Sequence, residues 1–207
     1  MAEGVAGAAV YRRNPGVLAD LWGRSVPRDV VLVVGATVMT GAAAQIALPV
    51  PGSPVPITGQ TFAVLLAGAA LGPTRGAVSM LLYVAAGGFG LPWFAGGASG
   101  FGTATLGYLL GFVLAAALVG RLALAGADRR PWRTIGMMAA GNTLIYLVGV
   151  PWLAVATGVG LPRALALGFV PYLIGDVLKA VLAAGLLPGA WRLRQQLLTR
   201  GTNRRDR

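Results

Sequence analysis

The 207-residue chain is 56% apolar and only 11% charged, against roughly 25% charge in soluble domains, so its surface must face something other than water. Its formal charge of +11 does not mark a nucleic-acid binder, because the basic residues lie between and outside long apolar blocks, as membrane topology demands. With no cysteine and no histidine, disulfides and metal sites built on thiolate or imidazole are excluded, and no cofactor is expected.

In chain order, residues 1–28 mix charges with prolines and contain no continuous apolar stretch, so no cleavable signal is expected; they read as a cytoplasmic N-terminal segment. Residues 29–187 read as an all-α, polytopic membrane domain. A span needs about 20 mostly apolar residues, and six candidates fall at 29–48, 57–72, 75–91, 105–125, 134–157 and 164–187. The second and third are short and separated only by Gly72-Pro73-Thr74-Arg75, which predicts a tight helical hairpin, with a re-entrant pair as the alternative. Residues 188–207 form a basic cytoplasmic tail, with 201–207 expected to be disordered. Six spans put 15 of the 17 basic residues on one side, which predicts a cell-membrane protein with both termini in the cytoplasm.

On the first span, small residues recur at four-residue spacing at Ala36, Thr40 and Ala44, and again at Ala43 and Ala47. Such spacing lets another helix approach closely. Two long outer loops, 49–60 and 87–102, carry no charge but are rich in proline, glycine and aromatics. They suit an ordered lid over a small ligand, or simple turns between spans.

The pair Asp176 and Lys179 supplies the charges well inside an apolar span. Each such charge costs about 2.5–3.5 kcal/mol on insertion scales and needs a partner. At i, i+3 they share a helix face, either as a ligand site or as a structural ion pair holding helices together. Gln60, Tyr83, and Asn142 with Tyr146 at i, i+4 are polar groups able to converge with them. Trp93 and Phe94 are ligand contacts or interfacial aromatics. Enzyme readings fail. Gly97-Ala98-Ser99-Gly100 has the form of an intramembrane serine-protease motif, but there is no histidine base. No G-x-x-x-x-G-K-[ST] phosphate loop is present.

Four segments occur in one order: Val55-Pro-Ile-Thr-Gly-Gln-Thr61, Gly90-Leu-Pro-Trp-Phe-Ala-Gly-Gly97, Gly107-Tyr-Leu-Leu-Gly-Phe112 and Pro171-Tyr-Leu-Ile-Gly-Asp-Val-Leu-Lys179. The chain resembles, over about residues 30–187, the biotin-specific S components of energy-coupling factor transporters. The resemblance implies a six-helix bundle with a ligand pocket near the outer surface, capped by the loops after helices one and three. It implies biotin as transported ligand, with the ureido ring at Asp176, Lys179 and Asn142, and Trp93, Phe94 and Tyr83 against the ring and chain. It also implies a transmembrane coupling subunit docked on the small-residue face of helix one, with separate ATPase subunits. From Gly76 to Gly120 there is no Lys or Arg, so the biotin carboxylate is expected to meet Gln60, Ser99, Thr103, backbone N–H groups or water. The competing reading is a scaffold membrane protein whose Asp176–Lys179 pair only holds helices together.

Overall fold

The structure is a computed structural model describing residues 16–22 and 25–203. Most of the expected N-terminal segment, and residues 204–207 of the tail, lie outside the described residues. Seven α-helices follow in order: α1 Val26–Ala44, α2 Gln60–Leu71, α3 Pro73–Gly88, α4 Leu106–Leu124, α5 Pro131–Thr157, α6 Leu161–Gly168 and α7 Leu173–Asn203. Six of them form the bundle, and α6 is a short lead-in to α7. The helices α1, α4 and α5 and the run 161–196 are each long and apolar enough to cross a membrane. At 12 and 16 residues, α2 and α3 are about 18 and 24 Å long and form the expected hairpin, joined by Gly72 alone.

That joint and the packing behind it depend on glycine. Gly72 has φ +87, a conformation that only glycine adopts freely. A Cβ on Gly120 of α4 would lie 2.4 Å from the Gly72 carbonyl carbon, and one on Gly68 of α2 would lie 2.6 Å from the Ala116 carbonyl oxygen. Backbone-to-backbone approach of this kind is how helices associate where no hydrophobic effect drives them together. It makes α4 the centre of the bundle, packed on α2, α3 and α5.

Three boundaries differ from the sequence expectation. α1 ends at Ala44 instead of 48, because Ala47 and Leu48 pair with Thr58 and Ile57 in a two-stranded antiparallel ribbon. The sixth span breaks between Gly168 and Leu173, where Pro171 lacks an N–H and disfavours helix at the residue before it. Its second part runs on to Asn203, so residues 201–203, expected to be disordered, are helical.

At the hairpin tip Arg75 ties α3 to the N-terminal part of the chain. Its guanidinium meets Asp20 of the 3-10 turn Leu18–Trp22 at 2.9 Å and Asp29 of α1 at 3.0 Å. These paired charges mark the aqueous boundary at that end.

The small residues of helix one do not form an outward docking face. Ala36, Thr40 and Ala44 are buried inside the bundle, with the neighbouring Thr37 hydroxyl donating to the Ser79 carbonyl of α3 at 2.9 Å. Ala43 is half-buried, its carbonyl lying where a Cβ on Gly59 would sit, and Ala47 belongs to the ribbon. The stripe that α1 turns outward is Val31, Gly35, Val38 and Ala42. Its 4-3-4 spacing follows one helix face.

Candidate functional site

A cavity opens between the loop-covered halves of α2, α4, α5 and α7, roofed by Val55 and Pro56 of loop one and by Phe94 and Ala95 of loop two. Gln60 and Thr61 enter it from the first turn of α2, Tyr108, Leu109 and Phe112 from α4, Ile145 and Tyr146 from α5, and Asp176 and Lys179 from α7. The wall is mainly apolar, with a few convergent polar groups. That is the usual build of a small-molecule site.

The charged pair lies at its floor. Lys179 Nζ is 3.8 Å from Asp176 Oδ1, an ion pair at i, i+3 but too long for a hydrogen bond. Lys179 instead donates to Thr61 Oγ1 at 2.8 Å. The Tyr146 hydroxyl donates to Asp176 Oδ2 in a short contact. This leaves Asp176 Oδ1 buried with no hydrogen-bond partner. An ionised carboxylate oxygen in that state is an acceptor waiting for a donor, since buried polar groups are ordinarily satisfied. A purely structural pair would be expected to close at hydrogen-bonding distance.

Gln60 is fixed from behind. Its Nε2 donates to the Tyr83 hydroxyl at 2.7 Å, and that hydroxyl donates to the Trp93 carbonyl at 3.1 Å. Thr58 donates to Gln60 Oε1 at 3.0 Å. The rings of Tyr83 and Trp93 lie 5.3 Å apart, and those of Tyr83 and Phe94 5.4 Å. Loop two is also held to α1, with Gln45 Nε2 donating to the Trp93 carbonyl at 3.2 Å. On the other side Tyr172, just before α7, reaches loop one. Its hydroxyl donates to the Val55 carbonyl and lies 3.1 Å from Ser53 Oγ.

The structure thus brings Asp176, Lys179, Gln60, Tyr146 and Phe94 together around one cavity. Tyr83 stands behind Gln60, a positioning residue rather than a wall. Trp93 packs away from the cavity, its indole N–H donating to the Tyr83 carbonyl at 3.2 Å and its ring lying over Gly41 of α1. Asn142, one turn along α5 from Tyr146, lines a lateral groove between α5 and α7 that also touches Tyr146 and Asp176. Its Oδ1 is likewise buried and unpaired. Of the groups expected near a carboxylate, Gln60 lines the cavity and Ser99 does not; Thr105 lines it and bonds to Thr103 at 3.2 Å. Sequence reasoning did not single out Thr61, Tyr108, Phe112 and Tyr172. All four lie inside the motif segments, which were the signal available for finding them.

Known proteins share this architecture. A family model described as the BioY family matches residues 12–196. The chain is similar to a probable biotin transporter BioY of Pyrococcus horikoshii, 36% identical over 159 residues, covering 75% of this chain and 91% of that protein. It is also similar to the biotin transporter BioY of Thermotoga maritima, 37% identical over 140 residues, covering 66% of this chain and 81% of that one. Among solved structures, the S-component for biotin from an ECF-type ABC transporter superposes with a TM-score of 0.69 at 26% identity, over 84% of this chain and 95% of its own.

Proposed function

The chain belongs to the BioY family, and from that membership we propose that it is the biotin-binding, multi-pass membrane subunit of a vitamin importer. It is a transport component rather than an enzyme. The observation that carries the assignment is the buried Asp176 carboxylate, facing a mainly apolar cavity with one oxygen still short of a donor. Biotin presents two ureido N–H donors beside a carbonyl acceptor. Asp176 accepts from an N–H, and Lys179, held between Asp176 and Thr61, donates to the ureido carbonyl. Tyr108, Phe112, Ile145 and Phe94 enclose the thiophane ring and the valeryl chain. With no basic side chain from Gly76 to Gly120, the carboxylate of biotin lies toward Gln60, Thr105 and the loop backbone.

Asn142 serves the same Asp176–Lys179 pair from the α5–α7 groove, through Asp176, rather than by lining the cavity. Both chain ends lie in the cytoplasm, on the side that holds 15 of the 17 basic residues. Because the sequence has no phosphate loop, ATP hydrolysis belongs to separate ATPase subunits, joined through a transmembrane coupling subunit. The test is radiolabelled biotin binding to detergent-purified protein. Saturable binding, competed by biotin and not by thiamin or riboflavin, is expected. Its absence in well-folded protein would leave Asp176 and Lys179 as a structural pair and overturn the assignment.

A further inference from the structure

At the opposite end of the bundle from the ligand cavity, a second cavity of about 230 Å³ is lined by Arg129, Pro188, Trp191, Arg192, Arg194 and Gln195. Trp191 is its platform. The ring is buried, and its indole N–H donates to Asp128 Oδ2 at 2.6 Å, tying α7 to the 127–129 turn between α4 and α5. The Arg129 guanidinium lies 4.9 Å from the ring centroid and that of Arg194 5.5 Å. Stacking on an aromatic face orients a guanidinium. Three arginines therefore converge on one small volume.

The depth of the cavity identifies what it meets. Counted from Leu173, the first residue of α7 at the loop-covered end, Arg192 and Arg194 lie roughly 29 and 32 Å along the helix at 1.5 Å per residue. The hydrocarbon core is about 30 Å thick, so both guanidinium groups stand at head-group level. Trp132, at the start of α5, is exposed there with the Arg133 guanidinium 5.0 Å from its ring centroid, as interfacial aromatics are. The one carboxylate in the cluster, Asp128, is buried against Trp191, and burial pushes its carboxyl up from the usual range. A volume of 230 Å³ is several times the share of one water, about 30 Å³, and admits a phosphate group.

We propose that this cavity binds the phosphate of an anionic phospholipid, with Arg192 and Arg194 on the phosphate oxygens. The site stands apart from the biotin cavity. Such a lipid would brace α7 against the 127–129 turn, and α7 is the helix that carries Asp176 and Lys179.

Three probes separate the sources of phosphate: phosphatidylglycerol, phosphatidylcholine and soluble glycerol 1-phosphate. Each is titrated into full-length protein in an uncharged detergent, with bound lipid read by native mass spectrometry and melting temperature alongside. Phosphatidylglycerol is expected to be retained and to raise the melting temperature, with the other two weak. The double variant Arg192→Gln/Arg194→Gln is expected to lose about 30-fold in phosphatidylglycerol affinity, from two basic contacts at the membrane surface, with unchanged biotin binding as the check on folding. Should that variant fail the check, Arg192→Gln alone is expected to lose about fivefold. Equal binding of the two lipids, displacement by equimolar glycerol 1-phosphate, or undiminished affinity in the folded variants would overturn the proposal.

Discussion

Asp176→Asn tests the site with the least change of shape. The substituted amide keeps an oxygen for the Tyr146 hydroxyl, which donates to Asp176 Oδ2, so the α5–α7 contact survives. What is lost is the negative charge. A hydrogen bond to a charged acceptor is worth about 1.5–3 kcal/mol and a neutral one about 0.5–1.5, so the ureido N–H bond weakens by roughly 1–1.5 kcal/mol. Lys179 loses its counter-ion at 3.8 Å and keeps only Thr61 at 2.8 Å. An unpaired buried cation costs several kcal/mol in the limit; its Thr61 contact and position on a cavity reduce that to about 1–2.5. That cation cost falls on the stability of the free protein, so the loss in binding is the weakened ureido bond, about 1–1.5 kcal/mol or roughly 5- to 12-fold in Kd. Equilibrium binding of radiolabelled biotin measures it, and a melting curve on the same sample shows that the variant is folded. The double variant Asp176→Asn/Lys179→Met should recover melting temperature, because it removes the stranded cation, but not biotin affinity, because it also removes the donor to the ureido carbonyl. Wild-type affinity in folded Asp176→Asn protein would refute the reasoning and leave the pair as a helix fastener.

Tyr83→Phe removes the hydroxyl that links Gln60 Nε2 to the Trp93 carbonyl; about 1–3 kcal/mol of stability should be lost, and an unchanged melting temperature would show that Gln60 is fixed by other means. Gly120→Ala puts a Cβ 2.4 Å from the Gly72 backbone and should cost at least 1–3 kcal/mol by overpacking, seen as lower folded yield, whereas Gly35→Ala, with nothing within 4 Å, should be neutral. Reporter fusions at Asp128 and at Arg207 should both report the cytoplasm, and an outside signal from either would overturn the six-span topology. Ala42→Trp, on the exposed stripe of α1, should weaken co-purification with a coupling subunit while sparing biotin binding; Ala36→Trp, aimed into the core, should instead lower folded yield.

The charged pair was legible because a charge inside an apolar block is visible in one dimension, and its cost alone marks it as functional or paired. Which way a helix faces was not. Every side of α1 is apolar, so nothing in its residues tells the core stripe of Ala36, Thr40 and Ala44 from the outer stripe of Gly35, Val38 and Ala42. The same ambiguity affects α5. Asn142 and Tyr146 do share a face, as their spacing requires, but the cavity borders one edge of Tyr146 and the lateral groove the other. Trp93 and Phe94 are neighbours whose extended backbone sends them apart, Phe94 to the cavity and Trp93 to α1. Tyr108 and Phe112 looked like ordinary span residues, since an aromatic at i, i+4 in α4 is equally at home in a core.

The short second helix explains why both long loops are free of charge. Arg75 and its two aspartates fix the hairpin tip at an aqueous boundary, and from there α2 rises only about 18 Å toward a surface about 30 Å away. Gln60 and Thr61, at its first turn, therefore begin below that surface, and loop one must fill the remaining depth. Irregular backbone is tolerated there only if the protein satisfies its polar groups. The ribbon of Ala47–Leu48 with Ile57–Thr58 does this, with the Gly59 N–H donating to the Ile46 carbonyl at 3.0 Å and the Tyr172 hydroxyl donating to Val55. Loop two meets the same demand, its Gly100 N–H donating to the Gly87 carbonyl at 2.8 Å and its Phe94 N–H to the Ala98 carbonyl at 3.0 Å. A lysine or glutamate at that depth would cost about 2.5–3.5 kcal/mol with nothing to pair it. The recessed cavity, the uncharged lids and the restriction of deep charge to Asp176 and Lys179 then follow from one cause, a helix too short to reach the surface.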